Sequence, residues 1–208
     1  MKQPESLSAE ALGVSRETEA RLREYLALLQ RWNNRINLVA DRDPAAWWQR
    51  HVVDSLQLFP LLPPSHGPLV DLGSGAGFPG MVLAAATGWP THLVESDRRK
   101  CAFLVEAARI MGLTKVQVHP KRIEAVILPP ALVVTARALA PLTVLLRHAY
   151  RLLAPGGVAL FPKGRTAEQE LTAAAADWTM RVARFPSRTD PESLILLISE
   201  IRPAGAEA

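Results

Sequence analysis

A glycine-rich stretch near the middle of the chain constrains the fold more than any other feature. Residues 67–88 read GPLVDLGSGAGFPGMVLAAATG, in which a short apolar run is followed by closely spaced glycines and a second apolar run. Glycine permits positive φ angles and a close approach of backbone N–H groups to a ligand. The stretch therefore predicts a buried strand, a tight loop and a helix, the unit from which parallel α/β sheets are built.

The glycines of this loop fit two cofactor patterns. Gly73, Gly75 and Gly77, preceded by Asp71, follow the acidic-x-G-x-G-x-G pattern of enzymes that use S-adenosylmethionine. Gly75, Gly77 and Gly80 also follow a second pattern, G-x-G-x-x-G, which is typical of sites for a nicotinamide or flavin dinucleotide. Because both patterns share a strand, a loop and a helix, the loop alone does not decide between them.

Neighbouring residues favour S-adenosylmethionine. The carboxylate of Asp71 can meet the ammonium group of this cofactor, directly or through water, whereas it would repel a pyrophosphate. Residues 152–161, LLAPGGVALF, predict a helix closed by Pro-Gly-Gly before a late strand, which is typical of methyltransferases. Glu95, at the end of the next predicted strand, can accept hydrogen bonds from both ribose hydroxyls, although this role suits either cofactor.

The rest of the chain divides into a helical part and an alternating part. An amphipathic helix is predicted over 16–34, and a second helix begins at Asp43-Pro44, an N-cap followed by proline. From residue 67 strands and helices alternate, which predicts a mainly parallel, doubly wound sheet. We expect a helical extension at 1–66 and one compact domain at 67–208. The strands predicted from the pattern are PLVDLG, THLVES, KVQVH, ALVVTARA, VALFPK and SLILLISEIR.

Composition limits the class of protein. The 208 residues, 49% hydrophobic and 21% charged, suffice for one globular domain. No apolar run approaches the ~20 residues of a membrane span, and residues 1–10 lack the apolar segment of a signal peptide. We therefore expect a cytoplasmic protein with no membrane partner. The single cysteine, Cys101, excludes an intrachain disulfide and a multi-cysteine metal site, and we expect no metal.

Positive charge is concentrated after the glycine loop. Residues 97–122 contain seven basic and two acidic residues, and residues 137–165 contain five basic residues and no acidic one. Such an asymmetry suits a polyanionic partner. The basic side chains expected to contact phosphates are Arg98, Arg99, Lys100, Lys121 and Arg122.

Several short motifs, in order along nearly the whole chain, resemble those of a known family. They are NRINLVA at 34–40, RHVVDSL at 50–56, DLGSGAGFPG at 71–80, LVESDRRKCAFL at 93–104, RIE at 122–124, VVTARAL at 133–139 and FPKG at 161–164. Together they are similar to the RsmG family, formerly GidB, of bacterial 16S rRNA guanine-N7 methyltransferases. The order of the motifs makes this resemblance far more specific than any single motif.

The resemblance implies a fold, a reaction and a partner. The fold is the Rossmann-like class I methyltransferase fold, a seven-stranded, mainly parallel sheet whose last strand is antiparallel, here with the N-terminal helical extension. The reaction transfers a methyl group from S-adenosylmethionine to N7 of guanine 527 in the decoding region of 16S rRNA. The partner is 16S rRNA, the small ribosomal subunit or its precursor. The family's cofactor contacts, carried onto matching positions, are Gly73, Phe78, Ile123, Glu124 and Arg137, to which the strand pattern adds Glu95.

The expected chemistry needs no general base, since guanine N7 already carries an exposed lone pair. Positioning can then supply much of the ~7–11 kcal/mol available from proximity, and we assign no catalytic residue. Because N7 and O6 are both acceptors, donors should orient the base, and Lys163, Arg165 and Arg137 are the candidates. His51 and Asp54 lie three residues apart on one helical face, where they either brace the site or, for His51, contact the base.

Two other functions stay open at this point. One is a nicotinamide- or flavin-dependent oxidoreductase using the second glycine pattern. The other is a non-catalytic protein that binds S-adenosylmethionine and acts through RNA contacts. A pyrimidine-C5 mechanism is disfavoured, because Cys101 lies in the predicted helix after Glu95, away from the site.

Overall fold

The computed structural model describes residues 13–205. The expectation of no signal peptide depends on residues 1–10, which lie outside this range. Residues 206–208 also lie outside it. None of the helices within the described range is long and apolar enough to cross a membrane.

The N-terminal part is helical, as predicted. Helix α1 spans Arg16–Asn33 and is capped by the hydroxyl of Ser15. Asp43 caps the next helical segment through a 3.0 Å bond from the Ala45 N–H, and proline follows it at the first helical position. This segment comprises α2 (Pro44–Trp47), a π-helical stretch (Trp48–Val53) and α3 (Asp54–Leu56), with a short 3₁₀ helix at Phe59–Leu61.

Seven strands form one sheet in the order β3-β2-β1-β4-β5-β7-β6. They are β1 (Leu69–Leu72), β2 (Thr91–Glu95), β3 (Val116–Pro120), β4 (Ala131–Ala136), β5 (Leu153–Lys163), β6 (Trp178–Pro186) and β7 (Leu194–Pro203). The helices between them are α4 (Gly80–Thr87), α5 (Arg98–Ile110), α6 (Leu142–Leu152) and α7 (Ala167–Ala174). Strand β7 runs antiparallel to both of its neighbours, and the first five strands are parallel. The expected seven-stranded, mainly parallel sheet is confirmed.

Two local expectations were wrong. Helix α6 ends at Leu152 and not at the Gly-Gly pair, because Ala154 precedes Pro155 and a residue before proline disfavours the helical conformation. The Pro-Gly-Gly segment is instead the first part of β5, in which Gly157 lies so close to β4 that a Cβ there would be 2.9 Å from the Ala131 carbonyl oxygen. Strand β6 was not recognised from the residues, although its partly buried Trp178, Met180 and Val182 alternate with exposed residues.

The N-terminal helices share their core with the glycine-loop half of the sheet. Helix α1 packs against α4 and α5. Its fully buried residues Leu22, Tyr25 and Leu29 belong to the same apolar cluster as Phe103 and Leu104 of α5. Each fully buried apolar side chain of this size stabilises the fold by roughly 1.5–3 kcal/mol. The helical part therefore covers one face of the sheet, while α6 and α7 cover the other.

Candidate functional site

The glycine loop connects β1 to α4 at the carboxyl edge of the sheet. Gly73, Gly75 and Gly77 have φ angles of +63°, +56° and +95°, which disfavour any residue with a Cβ. A Cβ at Gly77 would be 2.9 Å from the hydroxyl oxygen of Tyr25, and one at Gly80 would be 2.5 Å from the Cβ of Asp71. All the glycines of both patterns therefore have a local reason to be glycine, and the loop geometry suits either cofactor.

Asp71 lies beneath this loop. Its side chain is 1% exposed, and its Oδ1 accepts a 2.7 Å hydrogen bond from the hydroxyl of Thr135 on the neighbouring strand β4. Its Oδ2 finds no hydrogen-bond partner among residues 13–205. Burial raises the pKa of Asp71 to about 6. Donors on Thr135, Ser74 and the Gly80 backbone lie beside this carboxyl group and counter part of the effect of burial on its pKa.

Glu95 holds the glycine loop against α5. Its Oε2 accepts a 2.9 Å bond from the Gly75 N–H and its Oε1 a 2.8 Å bond from the Asp97 N–H, while Asp97 caps α5. Each carboxylate oxygen keeps a further lone pair, so hydrogen bonds from ribose hydroxyls remain open to it. Cys101 is buried beside Glu95 and donates to its carbonyl oxygen at 3.2 Å. Burial raises the pKa of this thiol, which makes it a poor nucleophile.

Arg137 is the centre of a cluster that links β4 to the N-terminal helices. It follows β4, and its Nη1 donates to Asp54 Oδ2 at 2.9 Å and to the Arg50 carbonyl oxygen at 3.3 Å. Its Nη2 donates to His51 Nδ1 at 3.2 Å, and its Cζ lies 5.2 Å from the ring centre of Phe78. The structure therefore brings the predicted helical pair, His51 and Asp54, together with two of the predicted cofactor contacts, Phe78 and Arg137.

The protonation state of His51 follows from this cluster. Arginine has only donors, so Nδ1 accepts and the proton lies on Nε2. Burial, with the charge of Arg137, lowers the pKa of His51 to about 4, so the ring is neutral near pH 7. The ring stacks on Phe78 at 4.9 Å, and Nε2 has no hydrogen-bond partner among the described residues. His51 braces Arg137 and retains one buried donor without an acceptor.

A cavity of about 1030 Å³ opens beside this cluster. Arg50, His51 and Arg137 line it from one side, and Lys163 and the loop before β7 line it from the other. Lys163 donates to Glu170 at 2.6 Å and to the Ala140 carbonyl oxygen at 2.9 Å. Lys163 therefore lines the cavity, but two of its three N–H donors already bond to the protein.

Each carboxylate that lines the cavity already accepts hydrogen bonds. Asp54 accepts from Arg137, Thr189 and Gln57. Glu170 accepts from Lys163, Thr166 and the Leu142 N–H, and Asp190 from Ser193 and the Glu192 N–H. No cysteine is among the described residues that line the cavity. The cavity can position a planar, polar group, and each of these acids already holds protein donors in place.

The remaining predicted residues lie further out along the same edge. Ile123 and Glu124 form a 3₁₀ turn three residues after Pro120, which pairs with Glu95 across β2 and β3. Their carbonyl oxygens accept hydrogen bonds from Arg151, and the Glu124 side chain is 70% exposed. Arg165 is 77% exposed, pairs with Glu192 at 3.1 Å and is not among the residues that line the cavity.

Sequence reasoning missed several residues that shape the site. Tyr25 was assigned only to the apolar face of α1, yet its buried hydroxyl donates to the Ala76 carbonyl oxygen within the glycine loop. Gln57 binds the loop before β7 through its contacts with Ser187 and the Arg188 N–H. A buried tyrosine needs a partner for its hydroxyl, which is the one signal that could have drawn attention to Tyr25.

Comparison with known proteins identifies the family to which the chain belongs. A family model described as rRNA small subunit methyltransferase G, GidB, matches residues 18–193. The chain belongs to this family. A relative named ribosomal RNA small subunit methyltransferase G, from Granulibacter bethesdensis, is 60% identical over 91% of this chain and 88% of its own.

Solved structures agree on the fold. TrmN from Thermus thermophilus is 18% identical with a TM-score of 0.58, covering 79% of this chain and 55% of that one. A SAM-dependent methyltransferase from Aquifex aeolicus is 14% identical with a TM-score of 0.58, covering 75% and 92%. The GidB family member described here therefore has the class I methyltransferase fold.

Proposed function

We propose that this protein transfers a methyl group from S-adenosylmethionine to N7 of guanine 527 of 16S rRNA. Membership of the small-subunit rRNA methyltransferase G family supports rRNA as the substrate and S-adenosylmethionine as the cofactor. It also favours a methyltransferase over a nicotinamide or flavin enzyme. The carboxylates that line the cavity each hold protein donors in place, and methylation at a ring nitrogen needs no base, so this lining is sufficient for methylation at N7.

The residues at the carboxyl edge fit the cofactor. The positive φ angles of the loop glycines, the buried carboxyl group of Asp71 and the spare lone pairs of Glu95 provide backbone approach, a nearby acidic group and hydroxyl acceptors. The residues proposed to hold S-adenosylmethionine are Gly73, Phe78, Glu95, Ile123, Glu124 and Arg137. When bound, S-adenosylmethionine supplies an electrophilic methyl group on a positively charged sulfur.

The protein's own contribution is orientation. Exocyclic amines lose a proton on methylation and pyrimidine C5 needs a thiol nucleophile, whereas guanine N7 attacks with an existing lone pair. Arg137, held by Asp54 and His51 over Phe78, fixes the wall between the glycine loop and the cavity. Positioning of this kind can supply about 7–11 kcal/mol.

Donors should orient the guanine, since both N7 and O6 are acceptors. The proposed substrate-binding residues are Lys163, Arg165 and His51. His51 has the buried N–H at Nε2 as its donor, Lys163 faces the cavity, and Arg165 lies outside it on the surface. Arg165 is therefore better placed for a phosphate than for the base.

The proposal is tested with ribosomal substrates from cells that lack this protein. Purified protein and labelled S-adenosylmethionine are incubated with naked 16S rRNA and with small subunits, and the modified base is mapped by primer extension. We expect incorporation that maps to guanine 527 and is resistant to substitution of Cys101 by Ser. Methylation at another atom or nucleotide, or binding of NAD(P) in place of S-adenosylmethionine, would contradict the proposal.

A further inference from the structure

A second hollow, of about 820 Å³, lies on the surface where α1 meets the loop before α2. Its polar lining comes mainly from amide and guanidinium side chains: Gln30, Asn34, Arg35, Asn37 and Arg42. All five are exposed. No carboxylate is among the described residues that line this hollow, so its surface carries positive charge and amide dipoles without a counter-charge in the lining.

The loop that carries these groups is held in one conformation. Asn33 Oδ1 accepts bonds from the Leu38 N–H at 2.8 Å and the Val39 N–H at 3.0 Å, and its Nδ2 donates back to the Val39 carbonyl oxygen at 3.4 Å. Leu38 and Val39 are themselves buried in the core. The backbone that carries the exposed amides and arginines is thus preorganised, which lowers the backbone entropy lost when they bind a ligand.

The arginines of the hollow are free to bind an anion. Neither Arg35 nor Arg42 forms an ion pair within residues 13–205. By contrast, Arg21, Arg23 and Arg50 in the same helical region are each paired with a carboxylate. Unpaired arginines bind phosphates, and amides can donate and accept at once on a base edge.

One ion pair links the segment that borders this hollow to the wall of the proposed active-site cavity. Asp41, next to Arg42, accepts a 2.8 Å bond from Arg50. Arg50 lines the cavity, and its carbonyl oxygen accepts from Arg137. The path of an RNA strand that places a base in the cavity can therefore follow this segment toward the hollow.

We propose that the hollow bordered by Arg35, Asn37 and Arg42 binds a single-stranded segment of rRNA next to the target guanine. Arg35 and Arg42 contact phosphates, and Asn34 and Asn37 contact the edge of an unstacked base. This inference rests on the proposed function, because it extends the path of the same RNA. A protein partner fits less well, since the lining offers amides and cations and no exposed aromatic side chain.

The test compares two charge-matched double variants of the full chain. Arg35→Gln with Arg42→Gln removes the free cations of the hollow. Arg16→Gln with Arg181→Gln removes two exposed cations that line neither the hollow nor the cavity and lie outside the basic stretches 97–122 and 137–165. Small subunits from cells lacking the protein are the substrate, and S-adenosylmethionine binding is measured separately by calorimetry.

We expect the first variant to raise the KM for the subunit by roughly fivefold or more, with cofactor affinity unchanged. Its slope of log Kd against log salt should fall by about 1.4, because each phosphate contact on a single strand contributes about 0.7. The second variant should match the wild type. Equal behaviour of the two variants overturns the inference while leaving the proposed function intact, and a wild type that does not methylate the subunit overturns both.

An Asn34→Ala, Asn37→Ala variant separates base contact from charge. It keeps both arginines, so we expect a raised KM with an unchanged salt slope. A KM equal to that of the wild type would remove the base contact from the proposal.

Discussion

The hydroxyl of Tyr25 is a residue-scale link between the first helix and the glycine loop. The side chain is fully buried, donates to the Ala76 carbonyl oxygen and packs 5.4 Å from the ring of Phe78. Its place in the apolar stripe of α1 was predictable from its helical spacing. The partner was not, because the two residues are 51 positions apart in the chain and only the folded arrangement brings them together.

Tyr25→Phe should weaken both the fold and cofactor binding. Phenylalanine keeps the ring contacts but leaves the buried Ala76 carbonyl without its donor, at a cost of about 1–3 kcal/mol. We expect a lower melting temperature and an S-adenosylmethionine Kd raised by roughly three- to tenfold. Tyr150→Phe, at a side chain that is 51% exposed, is the control and should change neither quantity. Unchanged cofactor affinity in Tyr25→Phe would show that the loop does not depend on this bond.

Asp71 and His51 make opposite contributions to the pH dependence of stability. Asp71 has a pKa raised from 3.8 to about 6, so its contribution is fully present below pH 4 and is lost as pH rises through about 6. His51 has a pKa lowered from 6.5 to about 4, so its contribution is present above pH 6.5 and is lost as pH falls through about 4. The two should nearly offset each other between pH 4 and 6.

The Asp71→Asn variant tests whether the two contributions to stability offset each other. The variant removes the Asp71 titration and keeps the oxygen that accepts from Thr135. Relative to wild type, its free energy of unfolding should rise between pH 4 and 6 by an amount on the order of 3 kcal/mol. Urea titrations at half-unit pH intervals measure this difference, with Asp177→Asn at an exposed position as the control. A difference that does not vary with pH would show that the Asp71 pKa is not raised.

At the scale of elements, the sequence predicted the features that depend on local pattern and missed those that depend on long-range pairing. Helix α1 and the cap at Asp43 follow from spacing and capping chemistry within a few residues. Strand β6 was missed because an edge strand with one covered face carries a weak apolar pattern, and only pairing with β7 defines it. The π-helical turn at Trp48–Val53 likewise has no local signal that we recognised.

Asp54 joins three elements, and the Asp54→Asn variant tests that connection. One oxygen holds Arg137 after β4 and the other accepts from Thr189 in the loop before β7. Asparagine loses the charge and one acceptor, so Arg137 should lose its fixed position. We expect kcat to fall roughly 10- to 100-fold with little change in S-adenosylmethionine Kd. Asp177→Asn is the matched control, and an unchanged kcat would show that Arg137 is positioned by other contacts.

At the scale of the whole molecule, the parts of the candidate site that directly follow strand ends were predictable. The contacts between residues far apart in the sequence were not. Gly73 and Glu95 follow their strands directly, and the carboxyl ends of parallel strands meet at one edge. The cavity wall, in contrast, joins Arg137 to His51 and Asp54 across more than 80 positions. No spacing rule relates such residues, so their roles had been assigned separately.

Removal of residues 1–66 tests the expected division of the chain at residue 66. Tyr25, His51 and Asp54 all lie before that boundary and bond to groups after it. The first helix also covers Phe103 and Leu104, which would face water without it. We expect the 67–208 fragment to show no cooperative thermal transition and no S-adenosylmethionine binding by calorimetry, because its apolar face and glycine loop lose their support. A soluble fragment that melts cooperatively and binds the cofactor would instead establish 67–208 as an independent domain.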